Sequence, residues 1–109
     1  MTNSINRAEL RGNVGQDPKI SQVNGLSVAR FTMATNETYK DKKGELKEET
    51  IWHNIVAWGG KGIPEFKEIK KGVNLSVTGK IRNGKYKTES GEDRYFSEIL
   101  ANKIEVNPE

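Results

Sequence analysis

Residues 50–58 read TIWHNIVAW, a stretch in which aliphatic side chains alternate with a second set that includes both tryptophans of the chain. The aliphatic parity consists of Ile51, His53, Ile55 and Ala57. The opposite parity consists of Trp52, Asn54, Val56 and Trp58. Because successive side chains of a strand point to opposite faces of a sheet, the stretch predicts a strand with one buried face and two indoles on the other face.

Four further segments have the periodicity or composition of strands. Residues 7–14 and 26–36 precede the central stretch, and residues 73–82 and about 94–106 follow it. By contrast, residues 37–49 are polar and contain no periodic apolar set. We therefore predict a long mobile loop between the second and third strands.

The fourth predicted strand, residues 73–82, alternates most regularly, and its apolar parity is predicted to face the core. That parity consists of Val73, Leu75, Val77 and Ile81. A basic hairpin follows, for which Ser90-Gly91 is the favoured turn and Asn83-Gly84 the alternative.

The segment between the third and fourth strands has the signals of a short helix. Pro64 suits a first helical turn, Ile63, Phe66 and Ile69 follow each other at intervals of three, and Gly72 suits a C-terminal cap. We predict a helix of about two turns. Five short antiparallel strands with one helix between strands 3 and 4 match the OB-fold barrel, an all-β architecture.

The composition limits the remaining possibilities. With 109 residues the chain is predicted to form one domain, and the 33% apolar content predicts a thin core. No apolar run approaches the roughly 20 residues of a membrane span, and the N-terminal residues lack a signal-peptide pattern. Because there is no Cys, disulfides, thiolate zinc sites and thiol nucleophiles are excluded. We expect a cytoplasmic protein.

The sequence does not favour an enzyme. The single histidine, His53, lies on the aliphatic parity and is interpreted as a packed or interface residue. Residues 79–86 read GKIRNGKY, which resembles a phosphate-binding loop but ends in Tyr86 where Ser or Thr must contact magnesium. The carboxylates have no metal-binding spacing, so we predict neither a metal site nor a cofactor.

Four aromatic side chains are difficult to explain as core. Two lie in lysine-rich hairpin or loop sequence, and two lie on the strand parity opposite the aliphatic face. These residues are Tyr39, Trp52, Trp58 and Tyr86. Flat rings beside ammonium groups are the residue types that bind single-stranded nucleic acid, since the rings stack on bases and the cations neutralise phosphates.

Several motifs, in this order and at this spacing, resemble the bacterial single-stranded DNA-binding protein family over about residues 5–106. The motifs are residues 12–18 (GNVGQDP), 31–36 (FTMATN), 50–53 (TIWH), 70–72 (KKG) and 90–95 (SGEDRY). The resemblance implies an OB-fold DNA-binding domain over residues 1–106 with a short C-terminal remainder, 107–109. It also implies a homotetramer, with a dimer as the fallback, that coats single-stranded DNA during replication, recombination and repair.

The resemblance assigns roles to individual residues. The family's base-stacking positions correspond to Tyr39, Trp52, Trp58 and Tyr86, and His53 corresponds to a position near the subunit contact. Its phosphate-contacting positions correspond to Arg7, Lys42, Lys47, Lys71, Arg82, Lys85 and, more loosely because the Gly-rich stretch shifts the register, Lys61.

The chain departs from the family pattern at its C-terminus. The residues end at Asn107-Pro108-Glu109 without the acidic tip that recruits replication and repair proteins, which puts such partners in doubt for these residues. Two alternatives remain open: a primosome-type accessory protein, and an OB domain whose aromatic residues bind another protein. Salt dependence distinguishes the protein-binding alternative from DNA binding. Binding to a single strand weakens with salt by a slope of roughly 0.7 per phosphate neutralised, whereas an apolar protein contact barely responds.

Overall fold

Residues 3–108 are described by the computed structural model, in which six strands and one 3-10 turn form along the chain. Residues 1–2 of the predicted domain and residue 109 of the predicted remainder lie outside the described part. The elements are β1 (Ala8–Val14), β2 (Lys19–Val23), β3 (Leu26–Lys40), β4 (Leu46–Trp58), the 3-10 turn (Phe66–Glu68), β5 (Asn74–Lys87) and β6 (Asp93–Val106).

The strands close into a barrel of five. The order in the sheet is β1-β5-β6-β4-β3-β2, and β1 also pairs with β3 at Asn13↔Ala34 and Val14↔Met33. All pairings are antiparallel except that of β4 with β6, which joins Ile55–Ala57 to Ile99–Ala101 in parallel. Strand β2 lies outside the closed ring as a hairpin partner of β3. The predicted OB-fold barrel is confirmed.

The core fills the inside of this barrel. Its members come from β1, β3, β4, β5 and β6, with one residue from the segment after the 3-10 turn. They are Val14, Phe31, Met33, Ile55, Ala57, Ile69, Leu75, Val77, Ile99, Ala101 and Ile104. No helix among residues 3–108 has the length and apolar character needed to cross a membrane.

The predicted two-turn helix is wrong. The segment forms only one 3-10 turn, and the residues on either side of it, Glu65 (φ −61°, ψ 138°) and Ile69 (φ −92°, ψ 98°), are extended. Ile69 is buried in the core, whereas Ile63 and Phe66 pack against its edge. Ile63, Phe66 and Ile69 all contact the core, so the short segment stays extended at the end of the barrel. A single helical turn does not offset the free-energy cost of helix nucleation.

The predicted mobile loop over residues 37–49 is also wrong. Strands β3 and β4 stay paired as far as Lys40↔Leu46, and the hairpin closes through Asp41, whose carboxylate accepts hydrogen bonds from the N–H groups of Lys43 and Glu45, each at 2.9 Å. Every side chain from residue 42 to residue 49 is exposed. A hairpin without a buried face has no hydrophobic alternation, so the pattern could not reveal it.

Ile81 does not face the core as predicted, since its side chain is exposed. β1 begins at Ala8, which pairs with Gly79, so no β1 residue covers Ile81. Its backbone instead exchanges two hydrogen bonds with the side chain of Asn6. The turn at Ser90-Gly91 is confirmed, because β5 and β6 pair as far as Lys87↔Asp93 around it.

Closure of the barrel requires Gly79. A β-bulge lies at Thr78/Gly79, and a Cβ on Gly79 would overlap the carbonyl oxygen of Leu100 and approach the Cα of Ala101 to 2.9 Å. We expect Gly79→Ala to lower the free energy of unfolding by about 1–3 kcal/mol, measured by urea titration. Gly59→Ala is the control, because its Cβ would meet nothing closer than Phe66 at 3.6 Å. Equal losses in both variants would contradict this explanation.

Candidate functional site

The two tryptophans of β4 lie outside the barrel, as the strand parity predicted. Trp52 is 60% exposed and Trp58 36% exposed, while Ile55 and Ala57 on the opposite parity are buried. The indole of Trp52 packs by one edge on Gly15, where a Cβ would overlap the ring. Trp52 is therefore held in place on one side and open on the other.

The two predicted tyrosines lie on the two long hairpins. Tyr39 of β3 is 50% exposed and pairs with Lys47, and Tyr86 of β5 is 57% exposed and pairs with Arg94. The pairing registers therefore place a cation directly across the ladder from each ring.

A groove opens where β4 and β6 separate. The two strands pair over only three residue pairs, and on the N-terminal side of that pairing they diverge into two adjoining cavities. The first has a volume of about 550 Å³ and is lined in part by Arg82 and Tyr86. The second, of about 350 Å³, is lined in part by Trp52. Asn54 and Phe96 line both cavities. We call the combined surface of the two cavities the central groove.

The central groove brings together only some of the predicted residues, namely Trp52, Tyr86 and Arg82. The others lie on separate exposed parts of the surface, and their contact with DNA stays a prediction. Tyr39, Lys42 and Lys47 lie on the β3–β4 hairpin, Trp58 at the end of β4, Lys61 and Lys71 in the segment between β4 and β5, Lys85 on the β5–β6 hairpin and Arg7 just before β1.

Some of these cations already have acidic neighbours. Arg7 forms an ion pair with Glu9, and the Nζ atom of Lys47 lies 3.5 Å from a carboxylate oxygen of Glu45. All four side chains are largely exposed, so these pairs are weak and can exchange their partners for phosphates.

The sequence analysis missed several residues of the central groove, among them two aromatic residues and one arginine. Phe96 lines both cavities with its ring packed on Gly84, Tyr95 is 77% exposed in the second cavity, and Arg30 lines the first. Phe96 and Tyr95 belong to an apolar run that resembles a core strand. The adjacency of Arg94 to Tyr95 was an available signal, because it repeats the pattern that identified Tyr39 and Tyr86.

His53 is half-buried, and its Nε2 atom lies 2.9 Å from the hydroxyl oxygen of Thr35. This contact gives one ring nitrogen a hydrogen-bond partner within the barrel wall. Among residues 3–108, no group of three or more His, Asp or Glu side chains is close enough together to hold a metal ion.

One acidic side chain lies at the floor of the central groove. Glu98 of β6 is 7% exposed and lines both cavities. Its two carboxylate oxygens face different arginines: Oε1 is 3.0 Å from Nη2 of Arg82, and Oε2 is 3.6 Å from Nη1 of Arg30. Glu98 and the two arginines together carry one net positive charge, and the charges of Asp17 and Lys19, which also line the first cavity, offset each other.

Comparisons with known proteins agree with this geometry. A model of the single-strand binding protein family matches residues 5–107. The Plasmodium falciparum SSB in complex with ssDNA superposes with a TM-score of 0.83 and 32% sequence identity, over 98% of this chain and 96% of that one. A deletion mutant of the single-stranded DNA binding protein from Thermus aquaticus gives a TM-score of 0.78 at 16% identity, over 95% of this chain and 51% of that one. The second likeness shows the fold alone.

Proposed function

This chain belongs to the single-strand binding protein family, and on that premise we propose that it binds single-stranded DNA without sequence preference through the central groove and the two long hairpins. The observation that carries the proposal is that exposed aromatic rings and arginines line the same groove. Trp52 and Tyr86 line adjoining cavities, and Arg82 lies in the cavity of Tyr86.

The rings supply affinity that does not depend on base identity. Each base has a π-face, and stacking on an aromatic side chain is worth roughly 1–3 kcal/mol per base. Trp52 suits this role because its indole is supported on Gly15 and open on its other side. We assign base stacking to Tyr39, Trp52, Trp58 and Tyr86.

The cations supply the second part of the affinity. Lysines and arginines that neutralise phosphates release condensed counterions, which favours binding most at low salt. We assign phosphate contacts to the exposed cations on and around the hairpins. They are Arg7, Lys42, Lys47, Lys61, Lys71, Arg82 and Lys85.

The wider role follows from the family. We propose a non-catalytic cytoplasmic protein, associated with the nucleoid, that coats single strands during replication, recombination and repair. We also propose that it acts as a homotetramer, with a dimer as the fallback. Exposed apolar side chains of the β2–β3 hairpin, Ile20, Val23 and Leu26, support self-association, since covering them would remove apolar area from water.

Stacking on Trp52 can be tested with single substitutions. We expect Trp52→Ala to weaken binding to labelled dT, dA and dC oligomers alike, by roughly five- to 150-fold, because one stacked base is lost. Fluorescence anisotropy of the labelled oligomer measures this. Trp52→Phe is the matched control, since it retains a flat ring and should lose much less. A loss confined to one base composition, or equal affinities of both variants, would exclude the assigned role.

The indole emission gives a direct readout of the same contact. In Trp58→Phe, Trp52 is the only indole of the chain, so its emission should be strongly quenched at saturating poly-dT while binding is retained. Unchanged emission at saturation would place the bases elsewhere.

Phosphate contacts can be tested through salt dependence. We expect Lys85→Ala to reduce the magnitude of the slope of log K against log salt by about 0.7, because one phosphate contact is lost. Lys103→Ala is the control, because Lys103 is not one of the assigned phosphate contacts and its Nζ atom lies 3.0 Å from a carboxylate oxygen of Glu105. The affinity for a dT oligomer is measured at several salt concentrations. If the affinity of the wild type does not change with salt, the assigned phosphate contacts are contradicted and an apolar protein partner is favoured.

A further inference from the structure

Glu98 is an acidic residue buried on the face to which DNA, an anion, is proposed to bind. Burial of a carboxylate costs several kcal/mol unless cations offset it, and the charge also repels phosphates. Its position follows from the registers: Arg82 is its direct partner across β5–β6, and Arg30 of β3 pairs with Val56, which itself pairs with Leu100 of β6. Three strands therefore bring these side chains to one place.

The ion pairs alone do not explain why a carboxylate is buried here. Well-packed apolar residues often stabilise a fold as well as buried ion pairs do. Both arginines are also half exposed, 55% for the side chain of Arg30 and 53% for that of Arg82, and water would solvate them without Glu98. The arrangement keeps two guanidinium groups beside one carboxylate in an open cavity.

The contacts leave most guanidinium donors free. Within the described part of the chain, Oε1 of Glu98 accepts no well-aligned hydrogen bond although Arg82 lies 3.0 Å away, and the Arg30 contact of 3.6 Å is beyond hydrogen-bond length. Each guanidinium has five N–H donors in a planar fork. Both forks can therefore still bind a second anion from the groove.

From this geometry we propose that Arg30 and Arg82 form one binding subsite for a phosphodiester of the DNA strand, and that Glu98 is the positioning residue that holds both arginines for it. The inference rests on the proposed function and adds Arg30 to its phosphate contacts. A phosphate is the ligand that fits, because guanidinium forks bind its oxygens in a bidentate manner.

The advantage of the carboxylate is preorganisation. Arginine side chains that are free in solution lose rotamer freedom when they close on a phosphate, which weakens binding. Because each oxygen of Glu98 attracts one arginine through a charge contact, part of that freedom is restricted on folding instead. Glu98 lines both the cavity of Trp52 and that of Tyr86, so we expect a strand that stacks on both rings to pass the subsite.

The proposal is tested by whether Glu98→Gln strengthens or weakens DNA binding. Glu98→Gln keeps the shape of the side chain and removes a negative charge, so electrostatics alone predicts tighter DNA binding. The amide, however, replaces one oxygen by an NH₂ group, which cannot hold a guanidinium. We expect binding of a dT oligomer to weaken by roughly three- to tenfold, with a salt slope smaller in magnitude by about 0.7.

Two further variants make the test decisive. Glu105→Gln is the matched control: it removes the same charge from the same strand, outside both cavities, and should leave binding unchanged or slightly tighter. Arg30→Lys keeps the charge but loses the fork, so it should weaken binding about as much as Glu98→Gln. Because Arg30 is half exposed, this variant decides the question even if thermal unfolding shows that Glu98→Gln is not folded.

The outcomes separate the two proposals. Weaker binding by folded Glu98→Gln and by Arg30→Lys, with Glu105→Gln unaffected, supports the subsite. If wild type binds the oligomer while Arg30→Lys, or folded Glu98→Gln, binds as tightly or more tightly with an unchanged salt slope, the subsite is overturned and the proposed function stands. If wild type itself fails to bind the oligomer, the proposed function is overturned.

Discussion

The short parallel pairing between β4 and β6 is the contact on which the rest of this structure depends. Three residue pairs, Ile55–Ala57 with Ile99–Ala101, join the two halves of the sheet, and the β1–β3 pairing then completes the ring. Because the pairing is so short, the N-terminal parts of the two strands diverge, and each continues into its own hairpin. The central groove is the space between them, so the pairing that joins the two halves of the sheet also determines where the groove begins.

A small apolar content explains why closure is needed and where the polar residues lie. With 33% apolar residues, the chain can fill one thin core, and a closed ring leaves few unpaired strand edges. The two hairpins extend beyond that core and are held by ladder hydrogen bonds and turn contacts such as those of Asp41. Segments with few buried contacts open most easily. Rings and lysines on them can therefore adjust to a flexible strand, while Trp52 stays fixed on the barrel.

The sequence correctly predicted the features of strands that have one buried face and one exposed face. Parity along residues 50–58 separated buried Ile55 and Ala57 from exposed Trp52 and Trp58, although Val56, on the parity of the tryptophans, is buried as well. It failed where no buried face exists, as in residues 37–49, and at Ile81, which lies beyond the cover of β1. The groove itself depends on registers between strands distant in sequence. The meeting of Arg30, Arg82 and Glu98 has no local signature.

The weak overall charge agrees with a DNA-binding role once the local arrangement is considered. A net charge of +3 would provide little long-range attraction for a polyanion. In the central groove, however, two guanidinium groups and three exposed rings lie within adjoining cavities. Screening by salt is weaker for partly buried charges than for exposed ones. In the proposed subsite, the buried acid lowers the net charge of the groove and at the same time positions the two arginines. Affinity in such a site depends on where its charges are held more than on how many there are.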